Sequence, residues 1–313
     1  MIGKEKLKGH GIILIVNVLF AINISISKSL IPADVAPEAL TLLRILFATA
    51  MFWLSSLFVK REKVSLKDLG LLFICACTGI AFNQSLFMAG LNLTSPVDTS
   101  IIATAGPIYV MLLAALILKE PITKQKVFGV LLGVAGGVLV ILSSTHSGDR
   151  NSSLSGDMLI VTSNLLYSIY MVISRPLSQR YSAVSIMKWM FLFSALMLTP
   201  FMYHHVLDAP AFHHNAIEWD EILRIVFVLV GGTFVPYLLI PMSLKRLRPT
   251  TVSMYSYIQP IVASMLAVMV GQGNFTVEKL LAALLVFAGV YLVTMSKARE
   301  DVEREKQQSA AEK

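Results

Sequence analysis

Charge is what this chain has least of. Of its 313 residues only 14% are charged, against roughly a quarter in ordinary soluble domains. The apolar share is 56% and the mean hydropathy is +0.72. A soluble protein of this length has no core large enough to hide so much apolar surface, so lipid must serve as most of its solvent. Cysteine is scarce too: Cys75 and Cys77 are the only two, and both fall inside an apolar run. A C-x-C pair on a helix points to different faces, which argues against a disulfide or metal site and leaves two small packing residues. Signatures of catalysis are missing. There is no Walker loop, no H-E-x-x-H and no nucleophile placed beside a base, so neither an ATP-driven pump nor an intramembrane protease is supported. The net charge of +7 comes from short scattered clusters, not from a basic stripe with interleaved aromatics, so nucleic acid is not an expected partner. The first apolar run follows Lys4, Lys6 and Lys8 but is too long for a signal-peptide core and lacks a small-residue cleavage site.

What the chain does have is apolar runs of membrane length. A spanning helix needs about 20 mostly apolar residues. Such runs lie near 10–31, 38–59, 68–90, 95–118, 126–143, 156–174, 184–203, 221–243, 249–271 and 276–296. They predict an all-α integral membrane protein of ten transmembrane helices, with a charged tail over 297–313. Placing the N-terminus inside puts 21 of the 26 Lys and Arg in the inner segments and one, Arg150, in the outer segments. Lys and Arg in short loops stay cytoplasmic. Both termini are therefore expected in the cytoplasm, in a multi-pass protein of the inner cell membrane.

The chain also repeats itself. Gly9, Asn17, Ser27 and Lys28 correspond, at an offset of 147, to Gly156, Asn164, Ser174 and Arg175. Further on the offset is 153, pairing Gly79, Pro96, Pro107, Thr123 and Gly136 with Gly232, Pro249, Pro260, Thr276 and Gly289. Five helices per half is an odd number, so the second half enters the membrane from the opposite side. The expected organisation is a tail over 1–9, a first repeat over 10–143, an outer linker over 144–155 and a second repeat over 156–296. Inverted repeats are the architecture of many secondary transporters, whose solute sits near the midplane between the halves.

The residues F-A-I-N-I-S-I-S-K (20–28), L-L-R-I-L-F-A (42–48), G-L-N-L-T-S (90–95), G-P (106–107), L-K-E-P-I-T (118–123) and G-V-L-L-G-V-A-G-G-V (129–138) follow one another in order. In that order and spacing the chain resembles the drug/metabolite transporter superfamily, specifically its EamA-type group, over about residues 9–296. The resemblance implies a ten-helix carrier of small metabolites without a bound cofactor. One departure is visible: Glu120 aligns with Gly273, where relatives often keep a second acidic residue. A role that needs two symmetric carboxylates is therefore in doubt.

Polar residues inside a membrane are costly and tend to face a bundle interior. The candidate cavity residues are Asn23, Ser27, Asn83, Gln84, Thr104, Asn164, Tyr167, Tyr170, Tyr237, Tyr255 and Gln259. They fall on helices 1, 3, 4, 6, 8 and 9, the set that surrounds the central cavity in relatives. The plainer alternative is hydrogen bonding between helices, at about 0.6 kcal/mol each. Pro107 and Pro260 are expected mid-helix at equivalent places, as hinges or as static kinks. Lys28, Arg44 and Asp98 form a candidate outer gate or a hold on a substrate carboxylate, unless the long side chains snorkel to the headgroups. No carboxylate occupies the middle of a span, so proton coupling has no obvious residue. Gly129, Gly133 and Gly137 form a close-packing face, for a homodimer or for the chain's own helices. His204, His205, His213 and His214 cluster in an outer loop, where surface histidines more often bind nothing specific, so no metal site is assigned. The expected function is a secondary transporter, in the export direction, of small metabolites such as amino acids or related polar and aromatic solutes. A lipid-carrier flippase on the same scaffold and a non-transporting sensor or assembly partner are the alternatives.

Overall fold

A computed structural model describes residues 4–31, 35–94, 99, 102–144, 153–208, 219–269 and 277–296. Among these residues all regular structure is helical and no strand occurs. In chain order the helices are α1 (Lys4–Leu30), α2 (Pro37–Ser55), α3 (Leu66–Leu93), α4 (Gly106–Ile117) and α5 (Lys124–Ser144). They continue as α6 (Leu154–Arg180), α7 (Ala183–Leu207), α8 (Trp219–Leu244), α9 and α10 (Val277–Met295). Helix α9 runs over Pro249–Met254, tightens to a 3-10 turn at Tyr255–Tyr257 and resumes over Ile258–Met269. Among the described residues, six helices (α1, α2, α3, α6, α7 and α8) are long and apolar enough to cross a membrane.

Two boundaries differ from expectation. Helix α1 begins at Lys4 inside the expected tail, where Glu5 pairs with Lys8 at 2.7 Å and with Arg246 at 3.0 Å. Helix α4 runs from Gly106, with Pro107 in its first turn, after helical residues 99, 102 and 103 and a turn at 104–105. Proline lacks an N–H and is tolerated there. Pro260 likewise stands in the first turn of Ile258–Met269, just after the 3-10 turn. The sequence placed both prolines mid-helix; each follows a local departure from α-helix, a turn at 104–105 and the 3-10 turn at Tyr255–Tyr257.

Two helices carry a π-turn among the described residues. They lie at Cys77–Ala81 in α3 and Val230–Phe234 in α8, and the distance between them equals the later repeat offset, 153. Each turn holds a glycine at its centre, and each glycine is needed. A Cβ on Gly79 would meet the ring of Tyr170 on α6, and one on Gly232 would meet the side chain of Asn23 on α1. Tyr170 and Asn23 are themselves 147 apart. The close approach of α3 to α6 is thus matched by that of α8 to α1. Elsewhere, a Cβ on Gly129 would lie 2.8 Å from the Gly289 carbonyl of α10, while Gly133 faces Tyr257 of α9. The face of these two glycines is covered by helices of the same chain, and Gly137 lies further along α5. Cys75 is buried and Cys77 half-buried, both free.

An aromatic stack joins α2, α7 and α8. Phe52 of α2 lies 5.3 Å from Phe191 of α7 and 4.7 Å from Phe234 of α8, centroid to centroid. Phe191 in turn meets Tyr237 edge-on at 5.2 Å, a geometry that suits the ring quadrupoles.

Candidate functional site

The helices line a partly open cavity of about 230 Å³. Of the cavity residues expected from sequence, Asn23, Asn83, Gln84, Thr104, Asn164, Tyr167, Tyr237 and Gln259 line it, and so do Pro260 and Arg44. Three do not. Ser27 is buried behind Asn23, to whose Oδ1 it donates at 3.4 Å. Tyr170 is turned away onto Gly79. Tyr255 pairs with Nδ1 of His10 at 2.7 Å. Residues not in the expected set also line the cavity: Asn17, Ser25, Thr99, Ser163 and Ser253. Asn17 was legible through its repeat partner Asn164, and Ser163 adjoins Asn164; the rest carried no separate signal.

Hydrogen bonds hold the lining side chains across helices. Asn83 donates to the backbone oxygen and Oγ of Ser163, both at 2.9 Å, tying α3 to α6. Gln259 donates to Asn17 Oδ1 at 2.9 Å, tying α9 to α1. Gln84 donates to the Tyr237 hydroxyl at 3.0 Å, and that hydroxyl donates to the Gly79 carbonyl at 3.2 Å. A π-turn loosens the regular carbonyl ladder and recurs at functional sites. Here the freed carbonyl is satisfied by a side chain that lines the cavity. The other π-turn is served in the same way: Arg44 donates from Nε to Thr233 Oγ1 at 2.7 Å and from Nη2 to the Gly232 carbonyl at 3.3 Å.

Of the expected gate, Lys28 and Arg44 engage different helices. Lys28 donates to the Leu91 carbonyl of α3 at 2.6 Å, whereas Arg44 is held by α8 and is only 4% exposed. Asp98 lies outside the described residues, as do His213 and His214. Counting residues along α2 gave depth, but the helix turns Arg44 inward. Among the described residues Arg44 is the one charged side chain lining the cavity, and no group of three metal-ligating side chains occurs.

A second polar centre was missed. Glu120 is buried and accepts from Lys126 Nζ at 2.7 Å, Arg175 Nη1 at 2.9 Å and Thr250 Oγ1 at 3.2 Å. It joins the start of α5, the end of α6 and the start of α9. The only sequence signals were the L-K-E-P-I-T run and the pairing of Arg175 with Lys28 in the repeat.

Comparison with known proteins places this geometry. A family described as the EamA-like transporter family matches twice, over residues 7–142 and 154–295. The chain is 23% identical over 297 residues to a WAT1-related protein of Arabidopsis thaliana, covering 85% of this chain and 79% of that protein. It is 22% identical over 240 residues to the uncharacterized transporter YetK of Bacillus subtilis, covering 75% and 71%. A crystal structure of another protein, 20% identical, superposes with a TM-score of 0.71 over 94% of this chain and 98% of that one, a likeness of fold.

Proposed function

Because this chain belongs to the EamA-like transporter family, a multi-pass membrane transporter and not an enzyme, we propose that it is a secondary transporter of small metabolites working by alternating access around the central cavity. The observation that carries the proposal is the cavity itself, lined by polar side chains from both halves of the chain. At about 230 Å³ it falls below the roughly 300–1,000 Å³ of drug-sized sites. That suits a small polar or aromatic metabolite, amino acids included, better than a lipid-linked carrier.

The proposal includes ten spans in two inverted halves, cytoplasmic termini, residence in the inner cell membrane and net export. Support for the two halves comes from the double family match and from π-turns repeated at the sequence offset. Support for the orientation is the bias of Lys and Arg toward one set of loops. In that orientation Glu120 and its partners close the cytoplasmic end, joining three helices that must part for the inward-open state. The breaks before Pro107 and Pro260 lie beside the cavity, at Thr104 and Ser256, where a change of helix direction opens or shuts it.

Gly106 supplies the test. It lines the cavity, and a Cβ built on it meets none of the described residues within 4 Å, so the side chain of Gly106→Leu starts into open space. Cells expressing the wild type are expected to show altered ratios of external to internal metabolites, and cells expressing Gly106→Leu at equal folded levels to lose the difference. Equal ratios in the two would sink the proposal.

A further inference from the structure

Reading the cavity as the solute site leaves its charge to be accounted for. Arg44 is 4% exposed and borders the cavity, yet no Asp or Glu lines that cavity among the described residues. Among the described residues the acceptors of Arg44 are two neutral oxygens, Thr233 Oγ1 and the Gly232 carbonyl. A guanidinium carries five N–H donors in a rigid fork, so three of them have no acceptor among the described residues. An ionised side chain held in a membrane interior without a counter-charge is costly, and such residues mark solute pathways. The group that best completes a guanidinium fork is a carboxylate, whose two oxygens accept parallel N–H bonds.

Other lining atoms complete the description. Gln84 is buried with Oε1 unpartnered, and Asn164 Nδ2 also lacks a partner. These are neutral amide atoms, suited to an uncharged polar substituent and offering no charge to an ammonium group. Phe20 and Tyr167 present ring surface to the same space. We propose that the solute is a small monocarboxylate, its anionic end on the Arg44 guanidinium and its apolar body against Phe20 and Tyr167. This inference rests on the cavity being the solute site.

The test measures binding to purified full-length protein in lipid nanodiscs by calorimetry. Two matched probe sets differ only at one end: phenylacetate, phenylacetamide, phenethylamine and phenylalanine; and isovalerate, isovaleramide, isoamylamine and leucine. In at least one set the carboxylate is expected to bind about tenfold to a hundredfold tighter than its amide, and tighter than the zwitterion, with the amine weakest. Arg44→Gln should abolish that preference, Arg44→Lys should keep part of it, and Gly106→Leu should remove binding altogether. If Arg44→Gln does not fold, the ranking in the wild type decides. An amide, amine or zwitterion that binds as tightly as the carboxylate, while Gly106→Leu still blocks it, overturns the monocarboxylate and leaves the cavity as the site. Binding undiminished in Gly106→Leu, or no binding by either set, overturns both.

Discussion

Replacing Glu120 with glutamine should be among the most destabilising single changes of one polar side chain in this protein. The carboxylate serves three partners, and their exposures separate the cost. Lys126 is fully buried, its side chain 1% exposed, and its ammonium lies 2.7 Å from Glu120. Removing the charge opposite a buried ion leaves that ion uncompensated, at about 3–5 kcal/mol. Arg175 keeps 30% of its side chain exposed, so water can replace its lost partner and its own substitution should cost only about 1 kcal/mol. With roughly 2–4 °C per kcal/mol for a chain somewhat smaller than this, Glu120→Gln is expected to lower the unfolding midpoint by roughly 6–20 °C. Arg175→Gln should lower it far less. The decisive measurement is the cycle with Lys126→Met, followed by tryptophan fluorescence on heating in nanodiscs. Once the stranded ammonium is gone, the double variant should recover most of the loss, because replacing both members of a buried pair is often neutral. A Glu120→Gln midpoint no lower than that of Arg175→Gln, or strictly additive losses in the cycle, would refute the reasoning.

Gly129→Ala should cost about 1–3 kcal/mol, because its Cβ would stand 2.8 Å from a backbone oxygen of α10 that has no rotamer to yield; unchanged thermal stability would show that α5 and α10 are not so tightly seated. Glu62 sits in the loop before α3, where burial opposes its charge, but bonds from the Ser182 backbone N–H at 2.9 Å and hydroxyl at 3.0 Å hold its carboxyl below the ordinary value of 4.5. A lowered carboxyl stabilises the fold fully above that value and loses the contribution as pH falls through its folded pKa. The stability gap between wild type and Glu62→Gln should therefore be present near neutrality and shrink in acid below about 4.5; a gap independent of pH would count against the ionised contact.

The features legible in the sequence were those written in composition and spacing. Apolar runs located the helices, and the Asn17 and Asn164 pairing pointed to two residues that share the cavity. What stayed hidden depends on rotation and on distant partners. Tyr167 and Tyr170 are three residues apart, and both were expected in the cavity, but only Tyr167 reaches it. Tyr170 is turned onto Gly79, because the π-turn there brings α3 close. No residue type announces a π-turn, which is one extra residue in a helical turn. Arg44 was read with Lys28 and Asp98 as an outer gate or a hold on a substrate carboxylate, because depth was counted along the axis while direction into the cavity was not. The partners of Glu120 lie 6, 55 and 130 residues away, and a single sequence cannot show that they converge.

On the proposed pairing of the two halves, the cavity lies where their likeness fails. Gln259 of the second half donates to Asn17 of the first at 2.9 Å. The equivalents, by offsets of 153 and 147, are Gly106 and Asn164. Glycine has no side-chain amide to offer Asn164 Oδ1, and Asn164 Nδ2 also finds no acceptor among the described residues, although Asn17 Nδ2 reaches the Ile13 carbonyl. Both Gly106 and Asn164 line the cavity. A missing side chain has therefore become space, and a leftover donor has become part of its wall. Gly106→Gln should place an amide beside Asn164, its Oε1 accepting from Nδ2. Satisfying Asn164 and replacing a helical glycine should each raise stability by about 1 kcal/mol, while the new side chain occupies the solute's place and stops transport. Such an opposition between stability and activity is common where a site is left imperfectly packed for use. A Gly106→Gln protein that is no more stable, or one that transports as well as the wild type, would show that the asymmetry has no bearing on function.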